Sequence, residues 1–143
     1  MAKEKLKVLI VEDNPNDALI VKKRLQKDNA FDYEITHVVS GEEALLNLEK
    51  NVYNIVLLDY NLPKKGGLEI LEEIKQKNIE VPVVMVTGQG DEIVAAQLIK
   101  EGALDYLPKR ENYEDAVPFM IRKTIAEFRA KSERERLQKE IAL

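Results

Sequence analysis

Ile55-Val56-Leu57-Leu58, opened by Asn54 and closed by Asp59, is an apolar run of strand length with no polar residue inside it. An uninterrupted run of this kind suits a central strand covered on both faces, as in parallel sheets flanked by helices. Outward from it, Val81 to Val86 carries the similar core Val83-Val84-Met85-Val86. Lys7 to Val11, Tyr33 to Val38 and a weaker Leu104 to Leu107 complete the strand-like runs. Between them the apolar spacing turns helical. Ala18, Leu19, Val21, Lys22 and Leu25 give one face, and Ala44, Leu45 and Leu48 a second. Leu68, Ile70, Leu71 and Ile74 give a third, Ile93, Val94, Ala96, Gln97 and Leu98 a fourth, and Ile121, Ile125 and Phe128 a last one. Pro118 fits only the first turn of that last helix. Asn14-Pro15, Ser40-Gly41, Pro63, Gly66-Gly67, Pro82, Gly88, Gly90 and Gly102 all fall at element ends. Strands alternating with helices predict an α/β fold with a parallel sheet, accounting for the chain to about residue 128.

Composition narrows the chemistry. The 143 residues are one domain's length, so a single domain rather than a multidomain enzyme is expected. With 22 Lys plus Arg against 26 Asp plus Glu, a net charge of -4 and a pI near 5.2, the chain lacks the footprint of a general nucleic-acid binder. At 45% hydrophobic and 34% charged it reads as a soluble globular protein. No apolar run approaches the roughly 20 residues of a spanning helix, and Met1-Ala2-Lys3-Glu4-Lys5 has no signal-peptide pattern, so a cytoplasmic protein is expected. The absence of cysteine removes disulfides, thiolate metal sites and thiol nucleophiles, and the single histidine removes most imidazole sites. Carboxylates, hydroxyls, lysines or magnesium must carry the chemistry.

Right-handed crossovers would put every strand's carboxyl end on one edge, where open α/β sheets place their sites. Strand one is followed there by Glu12-Asp13, strand three by Asp59, strand four by Thr87, and strand five by Lys109 shortly after. The common doubly wound order 2-1-3-4-5 would converge these groups on Asp59. Carboxylates about 4 Å apart repel by roughly 4 kcal/mol per pair at an effective dielectric near 20. Such a cluster needs a proton, a lysine or a hard cation, and oxygen donors suit Mg²⁺. Asp13, Asp59 and a carbonyl near Asn61 as ligands, with the Lys109 ammonium and the Thr87 hydroxyl, would make a site for phosphoryl groups. Asp59, at the end of the most apolar strand, is the candidate nucleophile that would form an aspartyl phosphate.

From about Lys5 to Phe128 the chain resembles a response regulator receiver domain of two-component signalling. The resemblance rests on Val8-Leu9-Ile10-Val11-Glu12-Asp13-Asn14, Leu57-Leu58-Asp59-Tyr60-Asn61-Leu62-Pro63, Gly66-Gly67, Val86-Thr87-Gly88 and Asp105-Tyr106-Leu107-Pro108-Lys109. It implies a flavodoxin-like, three-layer (βα)5 fold in which Asp59 accepts a phosphoryl group from the phosphohistidine of a sensor histidine kinase or a phosphotransfer protein. It further implies that Glu12, Asp13, Asp59 and the Asn61 backbone carbonyl organise Mg²⁺, and that Lys109 pairs with the phosphoryl group. Thr87 would then move to the phosphate, and Tyr106 swing into the space it leaves. Such a domain is a switch rather than a dedicated enzyme, and its output would be protein binding through helix four, strand five and helix five. Asn61 and Gln89 stand where the family tunes phosphoryl lifetime. One departure concerns Arg110, which occupies the position of a usual proline with a cis bond to the lysine. A cis bond to a non-proline residue costs about 3 to 4 kcal/mol, which leaves the isomer of the Lys109-Arg110 bond open.

Two other functions fit parts of the pattern. A small-molecule phosphohydrolase with an aspartate nucleophile would want a second Asp where Asn61 stands; a phosphorylation-independent scaffold would not need the intact site. His37 is assigned a structural or surface role on an edge strand, Gly66-Gly67 and Gly88-Gln89-Gly90 read as turns, and Tyr106 also reads as core filler. Residues 1–128 form the expected domain and 129–143 a charged helical extension. Leu137 and Ile141 in that tail form an i, i+4 pair, readable as a solvated helix or as a short seam to a dimer partner or a downstream domain.

Overall fold

The computed structural model describes residues 2–88 and 92–142. The chain runs β1 (Lys5–Val11), α1 (Pro15–Lys27), β2 (Asp32–Val38), α2 (Gly41–Lys50), β3 (Ile55–Asp59), α3 (Gly67–Gln76), β4 (Val83–Thr87), α4 (Glu92–Lys100), β5 (Asp105–Pro108), a 3-10 turn (Tyr113–Ala116) and α5 (Val117–Ala142). The sheet is parallel throughout in the order β2-β1-β3-β4-β5. Its register pairs Val11 with Leu58, Asp59 with Val86 and Thr87 with Pro108, so the carboxyl ends of β1, β3, β4 and β5 align along one edge.

Every residue of β3 and β4 is buried, as two-sided coverage requires. The period of two along each strand divides the core. Leu9, Val11, Val56, Leu58, Val83 and Met85 pack with residues of α2, α3 and α4. Leu6, Val8, Ile10, Ile55, Leu57 and Val84 pack on the other face with Val21 and Leu25 of α1 and Ile121 and Ile125 of α5. The result is the expected three-layer, doubly wound fold with an extended last helix.

Several boundaries and faces depart from expectation. β1 begins at Lys5, and β4 begins at Val83 because Val81 and Pro82 precede the paired register, although the Pro82 carbonyl still accepts from the Val56 N–H at 3.0 Å. Asp59 and Thr87 belong to their strands, and β5 is shifted by one residue. In α1, Ala18, Val21 and Leu25 are buried, whereas Leu19 is 46% exposed and Lys22 also faces solvent. At 100° per residue these two lie off the stripe that meets the sheet. In α4, Ala95 and Leu98 make the buried face, while Ala96 and Gln97 are exposed. The side chain of Ile93 lies outside the described residues. Pro118 is the second residue of α5, a position whose N–H has no helical partner to lose.

The helix starts follow local chemistry. Asn14 caps α1, its side-chain oxygen accepting from Asn16 N at 2.9 Å and Asp17 N at 3.2 Å, with Pro15 at the first helical position. Ser40 caps α2 by accepting from Glu43 N at 3.2 Å. Helix α5 continues without a break past Phe128; Leu137 and Ile141 are exposed, and Arg136 bridges Glu133 and Glu140 along the helix. One buried group in α5 is unmatched. Thr124 is wholly buried and its hydroxyl has no hydrogen-bond partner among the described residues. Thr124→Val keeps the shape and removes the unsatisfied hydroxyl, and is expected to stabilise the fold by about 1 kcal/mol, read as a higher thermal midpoint.

Candidate functional site

Four strand ends bring the site together. Glu12 is the first residue past β1, where its N–H still donates to the Val38 carbonyl of β2 at 3.0 Å. Asp59 closes β3 and Thr87 closes β4. Lys109 follows β5, its N–H donating to the Thr87 carbonyl at 2.7 Å. Glu12 and Asp59 are each only 5% exposed, Thr87 is buried, and Asp13 stands at the surface. Carboxylate oxygens of Glu12, Asp13 and Asp59 all lie within 4.8 Å of one another.

The loop after β3 is held just as closely. Asn61 N–H donates to Asp59 Oδ1 at 2.9 Å, Tyr60 N–H to the Val86 carbonyl at 2.9 Å, and Gly67 N–H to the Tyr60 carbonyl at 3.0 Å. Gly67 is needed here, because a Cβ on it would sit 2.6 Å from the Asp59 carbonyl oxygen and 2.8 Å from Tyr60 Cα. The start of α3 therefore packs directly on the main chain that carries Asp59.

Lys109 Nζ reaches into the cluster and donates to Glu12 Oε1, to Asp17 Oδ2 at 3.0 Å and to Asp59 Oδ2 at 3.2 Å. Burial alone would lower its pKa, but the hydrogen bonds to Glu12 and Asp17 and the charge of Asp59 outweigh burial and raise it, so the ammonium stays charged. Glu12 moves the other way for a carboxyl. Burial first, then the hydrogen bond and charge of Asp59, push it up to about 8 against the pull of Lys109 and of the Asn14 N–H, which lies 3.3 Å from Glu12 Oε2. The ligand atoms on offer are all oxygens, and two of the three carboxylates are almost wholly buried, where water cannot offset their mutual repulsion; these residues fit a hard divalent ion such as Mg²⁺.

The sequence-predicted residues Glu12, Asp13, Asp59, Thr87 and Lys109 thus gather at one edge, and the main chain of Asn61 borders it through its bond to Asp59. Tyr106 is half-buried, paired with Met85 in register and packed against the core on the side of α2, α3 and α4. No peptide bond among the described residues is cis, so the Lys109-Arg110 bond is trans. Gln89 and Gly90 lie outside the described residues. Sequence reasoning missed two neighbours of the site. Asp17, on the first turn of α1, holds Lys109; its signal was its place three residues after the capping Asn14. Tyr113, in the 3-10 turn, is pushed up to about 12 by burial, a shift the charge of Lys109 opposes and those of Asp17, Glu12 and Asp59 support. No sequence pattern pointed to it.

Comparison with known proteins follows the same lines. The family model described as the response regulator receiver domain matches residues 8–118. The transcriptional regulatory protein CpxR of Klebsiella pneumoniae is 35% identical over 124 residues, 87% of this chain and 48% of its own length. Response regulator ArlR of Staphylococcus saprophyticus is 33% identical, covering 87% of this chain and 51% of ArlR. The chain thus spans about half the length of these curated relatives. Among solved structures, a response regulator receiver domain protein from Clostridium thermocellum superposes with a TM-score of 0.76 at 29% identity, over 87% of this chain and 98% of that one. The Mn²⁺-bound form of response regulator Rcp1 does so with a TM-score of 0.69 at 31% identity, over 81% of this chain and 88% of that one.

Proposed function

Because the chain belongs to the response regulator receiver family, we propose that it is a phosphorylation switch in which Asp59 is the phosphoacceptor. The observation that carries this reading is the convergence of Glu12, Asp13 and Asp59 at the carboxyl edge of the sheet, where Lys109 donates to Glu12 and Asp59. In the transfer, an Asp59 carboxylate oxygen forms a bond to phosphorus as the N–P bond of a donor phosphohistidine breaks, and the imidazole leaves with a proton. Glu12, Asp13, Asp59 and the Asn61 carbonyl would hold Mg²⁺, in keeping with the Mn²⁺-bound relative. The ion neutralises charge on the phosphoryl oxygens when bound.

Lys109 supplies a fixed positive charge opposite Asp59, held in reach by Asp17 and Glu12. Thr87, buried at the end of β4, offers its hydroxyl to the phosphoryl oxygens, and Tyr106 follows the resulting shift of β4. A sensor histidine kinase or a phosphotransfer protein is the proposed donor. The face of α4, β5 and α5 passes the state to a downstream protein or domain, with a dimer as one form of output. On this reading the chain acts in the cytoplasm as a switch rather than as an enzyme with a released product, and contacts no nucleic acid itself. No described helix is long and apolar enough to cross a membrane. Residues 1–128 form the switch, and 129–143, the outer part of α5, its extension.

A small phosphodonor with Mg²⁺ is expected to add one phosphoryl mass to the intact protein, and removal of the metal by a chelator to prevent it. Sustained release of free phosphate from small esters, with no labelled protein, would instead identify a phosphohydrolase.

A further inference from the structure

His37, the chain's one histidine, stands in β2 opposite Ile10, one residue before the strand ends at Val38. Its ring is exposed, yet Nε2 lies 2.7 Å from the main-chain carbonyl oxygen of Glu12. A carbonyl only accepts, so Nε2 carries the proton and donates. The Glu12 N–H in turn donates to the Val38 carbonyl at 3.0 Å. The ladder between β1 and β2 stops at Val11 and Val38, and the chain turns away toward α2 at Ser40. The Glu12 carbonyl therefore sits where the regular ladder has run out, and the His37 side chain supplies the missing donor.

Both main-chain polar groups of Glu12 are thereby tied to the end of β2. This fixes the plane of the Glu12-Asp13 peptide, and with it the direction in which each of the two carboxylates leaves the main chain. Asn14 anchors the next step, since its side chain caps α1 while its N–H faces Glu12 Oε2.

We propose that His37 is a positioning residue for the carboxylate cluster: its bond to the Glu12 carbonyl holds the Glu12-Asp13 turn so that the carboxylates meet Asp59 at ligating distance, and thereby sets the affinity for a divalent cation. The inference rests on the metal-binding reading of the cluster. Groups that orient metal ligands from outside the first shell typically change metal affinity by about 10- to 100-fold when removed.

The test is calorimetric titration of the full chain with Mg²⁺, alongside thermal midpoints measured without metal. His37→Leu removes the donor and is expected to weaken Mg²⁺ binding about tenfold. His37→Gln places an amide N–H near the position of Nε2 and is expected to recover affinity to within about threefold of the native chain. A purely structural histidine would lower the metal-free midpoint in both variants and leave affinity alone. Native-like Mg²⁺ affinity in His37→Leu, or an equal loss of affinity in Leu and Gln variants, overturns the proposal. A native chain that binds no Mg²⁺ overturns the metal reading and this inference together, whereas native binding with an unaffected His37→Leu overturns this inference alone.

Discussion

Asp59→Asn is expected to abolish labelling by a phosphodonor that labels the native chain, with a fall in rate of at least roughly 10³-fold, as removal of a nucleophile gives elsewhere. The amide oxygen carries no charge and does not attack phosphorus. The neighbouring carboxyls do not replace it. Glu12 is held by Lys109 and the Asn14 N–H at the end of β1, one strand away from the position of Asp59. Asp13 is exposed, whereas Asp59 is buried and held by the Asn61 N–H and Lys109. The fold should survive, because asparagine keeps the shape and an oxygen for the Asn61 N–H. Intact-mass measurement with circular dichroism separates the two effects. A labelled Asp59→Asn protein, with the label mapped to Glu12 or Asp13, would refute the assignment of the nucleophile.

Gly67→Ala is expected to destabilise the fold by roughly 2 to 4 kcal/mol, a fall in thermal midpoint of roughly 4 to 16 °C for a chain of this size. The added methyl meets main chain on both sides, at 2.6 Å from the Asp59 carbonyl oxygen and 2.8 Å from Tyr60 Cα, and neither can rotate away. Relief requires α3 to move off the loop that carries Asp59, so the labelling rate should fall along with stability. Gly66→Ala is the internal control. Its Cβ would meet only the Tyr60 carbonyl oxygen at 3.6 Å, an ordinary contact, so its midpoint should stay near that of the native chain. Gly41→Ala is also expected to lower the midpoint, because its Cβ would overlap the side chain of Ile70, which is β-branched and wholly buried. Equal midpoints for the Gly66 and Gly67 variants would show that the contact at Gly67 yields more easily than its geometry implies.

The strands with continuous apolar runs were the most legible elements. β3 and β4 were placed within two residues, because burial on both faces leaves no room for polar alternation. Helix faces were read less well. Leu19 and Ala96 are apolar yet exposed, since which stripe of a helix meets the sheet depends on the rotation that packing imposes. The site residues predicted from strand ends did come together, as parallel connectivity requires. Tyr113 did not show in the sequence, and Asp17 showed only through its place after the capping Asn14, because both reach the site through the docking of α1 and of the turn before α5 on one face of the sheet.

The alternation of elements, the burial of the central strands and the side-chain types at the carboxyl edge were legible in the residues, since all of them depend on local pattern and covalent order. Packing was needed to show that Lys109 is shared among Glu12, Asp17 and Asp59, that burial raises the pKa of Glu12, and that His37 completes the ladder over Glu12. Each of these depends on distance and desolvation between groups far apart in the chain, and such quantities exist only once the sheet has closed and water has left the site.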